Sequence, residues 1–181
     1  MQLTAPPNHV SPRAPKAHAI RSVRPNDEIG LQQFIGRLSP GSRHARFMMA
    51  IRELPDYLLD RFIHPLRGRE AVLVATSPRG GIIGLGQYVR DEIGDGCEVA
   101  VVVEDSWQRQ GLGTDLLDAV LLVARESGIT HFHAEVLADN YPMRALARKI
   151  GCKIRINREA AFLVRISRTI QAPVTINALM N

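Results

Sequence analysis

The chain has 181 residues, of which 45% are apolar, and a formal net charge of +5 at neutral pH. This length suits one folded domain with tails, and no apolar run reaches the roughly 20 residues that a membrane-spanning helix needs. The positive charge favours an anionic partner such as nucleic acid, an acidic protein or a phosphate-bearing cofactor.

The ends of the chain differ in composition from its middle. The N-terminal 18 residues are rich in proline and polar residues, without the apolar stretch of a signal peptide. We therefore predict a disordered tail at residues 1–18 and one domain at residues 19–168. Residues 169–181 show no clear period and are predicted to be a C-terminal tail. Cys97 and Cys152 form neither a metal-type spacing nor a disulfide framework, which predicts a cytoplasmic protein without a metal site.

The first half of the domain predicts a strand, two helices and three antiparallel strands. The strand covers residues 19–23, and Asn26 or Asp27 is the expected N-cap of the first helix. Apolar residues then recur at helical spacing until the Ser-Pro-Gly-Ser segment at 39–42, which ends that helix. The following elements are a helix at 55–63 and strands at 71–75, 82–89 and 98–103, joined by hairpin turns.

The second half alternates helices and strands. The predicted elements are a helix with its apolar face over residues 116–124, a strand at 132–136, a helix capped by Asp139 or Asn140, and closing strands at 153–157 and 161–166. This order predicts a mixed α/β sheet, with antiparallel hairpins first and a parallel crossover in the second half.

The loop between the 98–103 strand and the next helix is the main candidate for chemistry. Backbone N–H groups at a helix start lack internal partners and lie at the positive end of the helix dipole, so they bind phosphates. Gly111 and Gly113 allow close approach, and Arg109 adds a cation. A nucleotide P-loop needs a lysine after the second glycine, and a dinucleotide fingerprint needs a glycine where Leu116 stands. A plain strand-to-helix turn with two glycines remains the structural alternative.

Two motifs resemble the GNAT superfamily of N-acetyltransferases. Gln108-x-x-Gly111-x-Gly113 resembles its pyrophosphate-binding motif, and the segment from Asn140 to Cys152 resembles its second cofactor element. The N-terminal half, including the segments at 24–27 and 97–103, resembles the acetyltransferase domain of bacterial Pat-type protein-lysine acetyltransferases.

The resemblance implies the GNAT fold, which is a central, mostly antiparallel sheet with a splayed parallel pair, flanked by helices. It also implies acetyl-CoA as co-substrate, with its pyrophosphate over residues 110–114 and its pantetheine arm against the strand at 101–103. The implied cofactor-binding residues are Val101, Val102, Val103, Gln108, Arg109, Gln110, Gly111, Leu112, Gly113, Thr114, Asn140 and Met143.

The first candidate catalytic residue is also inferred from the resemblance. An amine must lose a proton before it attacks a thioester, and a carboxylate accepts that proton better when burial raises its pKa. Glu98 resembles the glutamate base of the Pat-type group. Glu135 on the neighbouring strand could share or replace that role, but the favoured alternative is that it orients another group or pairs with an arginine. Many GNAT enzymes carry a tyrosine as general acid where this chain has Ala147, while Tyr141 lies nearby in sequence.

The predicted function is transfer of the acetyl group of acetyl-CoA to a primary amine, on a protein lysine or a small molecule. The alternative is a non-catalytic acetyl-CoA-binding sensor, which the missing tyrosine favours. A nucleic-acid partner is disfavoured because the chain has few aromatic residues for stacking and no recognition motif. No membrane partner is expected, and a homodimer is kept as an open alternative.

Overall fold

The computed structural model describes residues 17–170. The predicted tails lie outside this range, apart from residues 17, 18, 169 and 170. Within it the elements are β1 (Ala19–Ser22), α1 (Glu28–Arg37), α2 (Pro40–Phe47), α3 (Asp56–Ile63), β2 (Glu70–Thr76), β3 (Ile82–Arg90), β4 (Gly96–Val103), α4 (Leu112–Glu126), β5 (His131–Leu137), α5 (Tyr141–Lys149), β6 (Lys153–Ile156) and β7 (Leu163–Thr169), with short 3-10 helices at Pro25–Asp27 and Asp105–Trp107.

The strands form a single sheet in the order β1-β2-β3-β4-β5-β7-β6. Neighbours are antiparallel except for β4 and β5, which run parallel because α4 crosses between them. β4 pairs with β3 from Cys97 to Val103, but it pairs with β5 only at Gly96, Cys97 and Glu98. Beyond Glu98 the two parallel strands separate, which confirms the predicted mixed sheet with a splayed parallel pair.

Helices cover both faces of the sheet. One face packs against α1 and α3 through buried residues such as Phe34 and Phe62. The other face packs against α4, and Gly86 in β3 permits the close approach. A Cβ at Gly86 would lie 2.7 Å from Cγ2 of Val120 and 3.0 Å from Cγ of Leu116. The position of α4, and therefore of the loop that precedes it, depends on this contact.

The structure has three helices before the first hairpin, so the prediction of two was wrong. The Ser-Pro-Gly-Ser segment does end α1, but it also starts α2. Ser39 Oγ accepts a hydrogen bond from the Ser42 N–H at 3.2 Å, and Pro40 occupies the first helical position, which proline tolerates. α2 was missed because none of its residues is fully buried, so it carries no clear apolar stripe.

Within the described part of the chain, no helix combines the length and apolar character needed to cross a bilayer. No group of three or more His, Cys, Asp or Glu side chains within residues 17–170 is arranged to hold a metal ion.

Candidate active site

The loop between β4 and α4 presents unpaired backbone donors. Gly111 is the N-cap of α4 with φ of 90°, a left-handed conformation that favours glycine. The N–H groups of Thr114 and Asp115 both bond to the Gly111 carbonyl, at 3.0 and 3.1 Å. The N–H groups of Gly111, Leu112 and Gly113 find no acceptor in residues 17–170. These three donors at the positive end of a helix suit a pyrophosphate.

The space in front of this loop is open. A Cβ at Gly111 would meet nothing within 4 Å, and one at Gly113 would meet only Cγ2 of Val103 at 3.8 Å. Leu112 is 1% exposed and packs with Val103 and Ile83, which anchors the loop from behind. The donors are therefore fixed in place while their outer side is accessible, as binding a phosphate requires.

The loop's polar side chains differ in how they are engaged. Gln108 Nε2 donates to the Val103 carbonyl at 3.0 Å and to Ser42 Oγ at 3.1 Å, so its amide nitrogen holds the loop to β4 and α2. Gln110 Nε2 donates to the Ser106 carbonyl at 2.8 Å. Arg109 has an exposed side chain and a left-handed backbone with φ of 59°. Arg109 is thus the loop side chain best placed to meet an anion, and cofactor contacts by Gln108 and Gln110 stay predictions.

The splay leaves one edge of β4 open. The Glu104 N–H bonds to the Ile83 carbonyl on β3 at 2.9 Å, and strand alternation turns the backbone of Val102 toward β3 as well. Val101 and Val103 therefore turn their backbone groups toward the gap, although the Val103 carbonyl already accepts from Gln108. Three valines were predicted to bind the pantetheine arm, and the backbone groups of one of them, Val102, point toward β3 instead of the gap.

The second predicted cofactor element lies across the gap, at the start of α5. Asn140 Oδ1 accepts a hydrogen bond from the Met143 N–H at 3.1 Å, which confirms the predicted cap. Asn140 Nδ2 finds no acceptor in the described residues and stays available to a ligand. Met143 packs against the core between α5 and the sheet, so it contributes apolar surface.

Glu98 lines a cleft of about 220 Å³ on the sheet face that α1 and α3 cover. The cleft is lined by Arg46, Leu58, Arg61, Phe62, Gln87, Val89, Glu98 and Ala100. The carboxylate is exposed and forms no hydrogen bond or ion pair within residues 17–170. The burial expected for a catalytic base is therefore not found at Glu98 within the described residues.

Glu135 lies on the same face of the sheet, on the other side of the splay. It is already engaged, because Arg165 Nη1 donates to its Oε1 at 3.2 Å and Asn157 Nδ2 to its Oε2 at 3.5 Å. The neighbouring His133 is also paired, with Nε2 2.9 Å from Oδ1 of Asp91. Of the two predicted catalytic carboxylates, Glu98 is the one without such a partner.

Comparison with known proteins decides the family. A model of the Acetyltransferase (GNAT) family matches residues 43–152. The chain belongs to the GNAT acetyltransferase family. It is an acetyltransferase that uses acetyl-CoA, and the loop before α4 and the open edge of β4 fit that co-substrate.

Individual GNAT relatives agree with this assignment. Acetyltransferase PA5475 of Pseudomonas aeruginosa is 33% identical over 135 residues, which cover 73% of each chain. Acetyltransferase Pat of Mycolicibacterium smegmatis is 34% identical over 73 residues, 40% of this chain and 22% of that protein. The solved GNAT domain of S. lividans PAT superposes with a TM-score of 0.77 and 28% identity, covering 83% of this chain and 89% of that one.

The position where many GNAT enzymes carry a tyrosine is occupied by a buried alanine in this chain. Ala147 is 0% exposed and packs between α5 and the sheet. Tyr141 is 71% exposed, and the guanidinium of Arg144 lies 5.8 Å from its ring centroid. Burial raises the pKa of the Cys152 thiol, which disfavours a nucleophilic role for it.

Asp105 is a functional candidate that the sequence did not reveal. It directly follows Glu104 and accepts three hydrogen bonds from α2: from the Ser39 N–H at 2.9 Å, Ser39 Oγ at 2.7 Å and Ser42 Oγ at 2.8 Å. These bonds join the helix beside the Glu98 cleft to the loop of the GNAT pyrophosphate motif. Its residue type is common in loops, and its partners lie more than 60 positions away in a helix that was not predicted.

We expect Asp105→Asn to make the free energy of unfolding less sensitive to acid. Partial burial alone would raise the pKa of Asp105, but the hydrogen bonds from Ser39 and Ser42 outweigh it and lower that pKa. A carboxyl whose pKa is lower in the folded state stabilises above its unfolded pKa of about 3.9, and this contribution is lost as pH falls through the folded value. Urea unfolding at neutral pH and near pH 3 measures the effect.

The matched control is Asp118→Asn, on the exposed face of α4. The stability difference between wild type and Asp105→Asn should be largest at neutral pH and should shrink near pH 3, whereas Asp118→Asn should follow the wild type throughout. An equal stability difference at both pH values would mean that the hydrogen bonds from Ser39 and Ser42 do not depend on the charge of Asp105.

Proposed function

We propose that this acetyltransferase transfers the acetyl group of acetyl-CoA to the side-chain amine of a protein lysine, with Glu98 as general base. The observation that supports this most is the unpaired carboxylate of Glu98 in a cleft beside the point where β4 and β5 separate. The cleft opens on the face of α2 and α3, opposite the face that packs against α4. An acceptor on that side could meet a thioester in the gap.

The chain's own groups suggest how the co-substrate is held. The N–H groups of Gly111, Leu112 and Gly113 would bind the pyrophosphate, with Arg109 beside it. The Val101 backbone and the Val103 N–H would bind the pantetheine arm through strand-like hydrogen bonds, and Asn140 Nδ2 would meet it from α5. Acetyl-CoA supplies the acetyl group and a thiolate leaving group. An ordinary thiol has a pKa near 8.5, so this thiolate can depart unprotonated, with the remaining proton of the attacking nitrogen passing to water, or it can receive that proton through water.

Glu98 would accept the proton of the lysine ammonium, directly or through a water molecule, so that the amine becomes a nucleophile. Two observations favour Glu98 over Glu135. Glu98 has no bonded partner in residues 17–170, whereas Glu135 is held by Arg165 and Asn157. We propose that Glu135 helps to position the β5–β7 side of the site.

A protein acceptor is supported by the resemblance of the N-terminal half to Pat-type domains and by the open cleft. The sensor alternative rests on Ala147 alone, and an unprotonated thiolate departure removes that objection. All proposed site residues belong to one chain, so the proposal needs no second copy, and a homodimer stays a prediction. Cys97 and Cys152 are both free thiols, which supports the proposed cytoplasmic location.

The test is an acetylation assay with acetyl-CoA, a panel of purified bacterial proteins and a panel of small primary amines. Mass spectrometry should locate acetyl-lysine on a subset of the proteins, at rates above the uncatalysed background, and Glu98→Gln should reduce those rates by the factor typical of losing a general base. Acetylation of small amines without protein acetyl-lysine would overturn the lysine proposal while leaving the acetyltransferase assignment intact.

A further inference from the structure

Arg46 has an unusual environment in the Glu98 cleft. It lies in the last turn of α2, and its guanidinium carbon is 4.9 Å from the ring centroid of Phe47 and 5.8 Å from that of Phe62. Its Nη2 donates to Gln87 Oε1 at 3.0 Å. Two aromatic rings and one neutral amide therefore hold the guanidinium in a fixed orientation along the cleft wall.

The charge of Arg46 is not matched by a bonded carboxylate. Its Nε is buried and finds no acceptor within residues 17–170. Burial lowers the pKa of Arg46 to about 10, with Glu98 opposing the shift, so the side chain is still a cation at neutral pH. A partly desolvated cation whose hydrogen-bond and ring partners are all neutral is costly unless a nearby negative charge compensates it.

The second arginine of the cleft differs in this respect. Arg61 is bound by Glu70, whose Oε1 accepts from its Nε at 3.0 Å and its Nη2 at 2.6 Å. Arg46 therefore carries a positive charge without a bonded carboxylate, while Glu98, which interacts with it through space, carries a negative charge on the sheet side. The cleft, with a volume of about 220 Å³, is therefore lined by a positive side chain, Arg46, and a negative one, Glu98.

We infer that Arg46 binds a carboxylate of the acceptor, and that the preferred acceptor is a lysine flanked by an acidic residue. This inference rests on the proposed function and names its substrate class. With the lysine amine at Glu98, a neighbouring carboxylate can reach the guanidinium, whose planar donors suit such a group. A phosphate is disfavoured because its second negative charge would share a small cleft with Glu98.

The test compares two short fluorescent peptides, each with a central lysine, flanked on both sides by aspartate in one and by asparagine in the other. Direct binding is measured by anisotropy and turnover by mass spectrometry. The wild-type protein saturated with CoA should bind the aspartate peptide roughly ten-fold more tightly or better, because hydrogen bonds to charged groups are strong. In Arg46→Met, which keeps an apolar stem against the rings, this ratio should fall toward one.

The controls separate charge from folding. Arg79→Met, in the exposed turn between β2 and β3, should keep the wild-type ratio, and Arg46→Lys should give an intermediate ratio because it keeps the charge without the planar fork. Acetyl-CoA calorimetry on each variant checks that the domain is folded.

The outcomes distinguish this inference from the proposed function. If the wild type binds both peptides equally, or binds neither, the inference is overturned whatever Arg46→Met does. If both peptides are acetylated with equal efficiency, the lysine proposal stands and the role of Arg46 fails. If the aspartate peptide binds more tightly but is not acetylated, the role of Arg46 stands and the lysine proposal fails.

Discussion

Glu98→Gln should reduce turnover at neutral pH by roughly 10²- to 10⁴-fold while leaving the affinity for acetyl-CoA unchanged. Glutamine keeps the shape of the side chain but cannot accept the proton of the acceptor ammonium. An ordinary lysine amine has a pKa of about 10.4, so raising the pH supplies more amine that is already neutral. The deficit of the variant should therefore shrink as pH rises, and a pH–rate profile for both proteins measures this.

Glu135→Gln is the matched control, since the two glutamates lie on the same face of the sheet on either side of the splay. Loss of the Arg165 contact should change the rate far less than loss of the base. If Glu135→Gln is the slow variant and Glu98→Gln keeps most of the wild-type rate, the base is Glu135. If neither substitution slows the reaction, water alone takes the proton.

Gly111→Val should weaken acetyl-CoA binding by roughly ten-fold or more. The added side chain would project into the open space in front of the N–H groups of Gly111, Leu112 and Gly113. Valine also strains a backbone with φ of 90°, so a loss of affinity could reflect a distorted loop as well as a blocked approach. Calorimetry with CoA and urea unfolding together separate binding from stability.

Gly80→Val resolves the ambiguity. Gly80 has φ of 84°, and a Cβ there would also meet nothing within 4 Å, but it lies in the turn between β2 and β3. Both variants should lose similar stability from backbone strain, whereas only Gly111→Val should lose CoA affinity. Unchanged CoA affinity in a folded Gly111→Val protein would contradict the placement of the pyrophosphate on this loop.

Much of the fold could be predicted because local patterns and burial agree. The apolar run at 99–103 lies in β4, in the middle of the sheet, and the alternation at residues 132–136 is the half-buried β5. The two motif segments identified the loop and the α5 cap, where Asn140 holds the Met143 N–H. Loop glycines and cap residues affect backbone groups that lie only a few residues away in sequence, so sequence alone can reveal them.

The acceptor side could not be predicted to the same extent. α2 is polar and its start resembles a helix stop, so its pairing with Asp105 was hidden. The Arg46-Phe47 pair belongs to the Pat-type resemblance, but the sequence assigned Arg46 no role. The packing of α2 and α3 gives it two aromatic neighbours and a buried Nε. The proposed roles of Asp105 and Arg46 depend on contacts between residues that are distant in sequence, and no local pattern predicts such contacts.

The separation of β4 and β5 also affects how readily the protein is degraded by proteases. The two parallel strands are paired only between residues 96–98 and 131–133, so the β5–β7 half of the sheet lacks most of the ladder that would join it to the rest. A ligand that bridges this gap binds the folded chain alone and stabilises it by about 2.7 kcal/mol at a hundred times its dissociation constant. Proteolysis that requires local opening should slow accordingly when acetyl-CoA is plentiful. The abundance of this acetyltransferase would then follow the supply of its own acetyl donor.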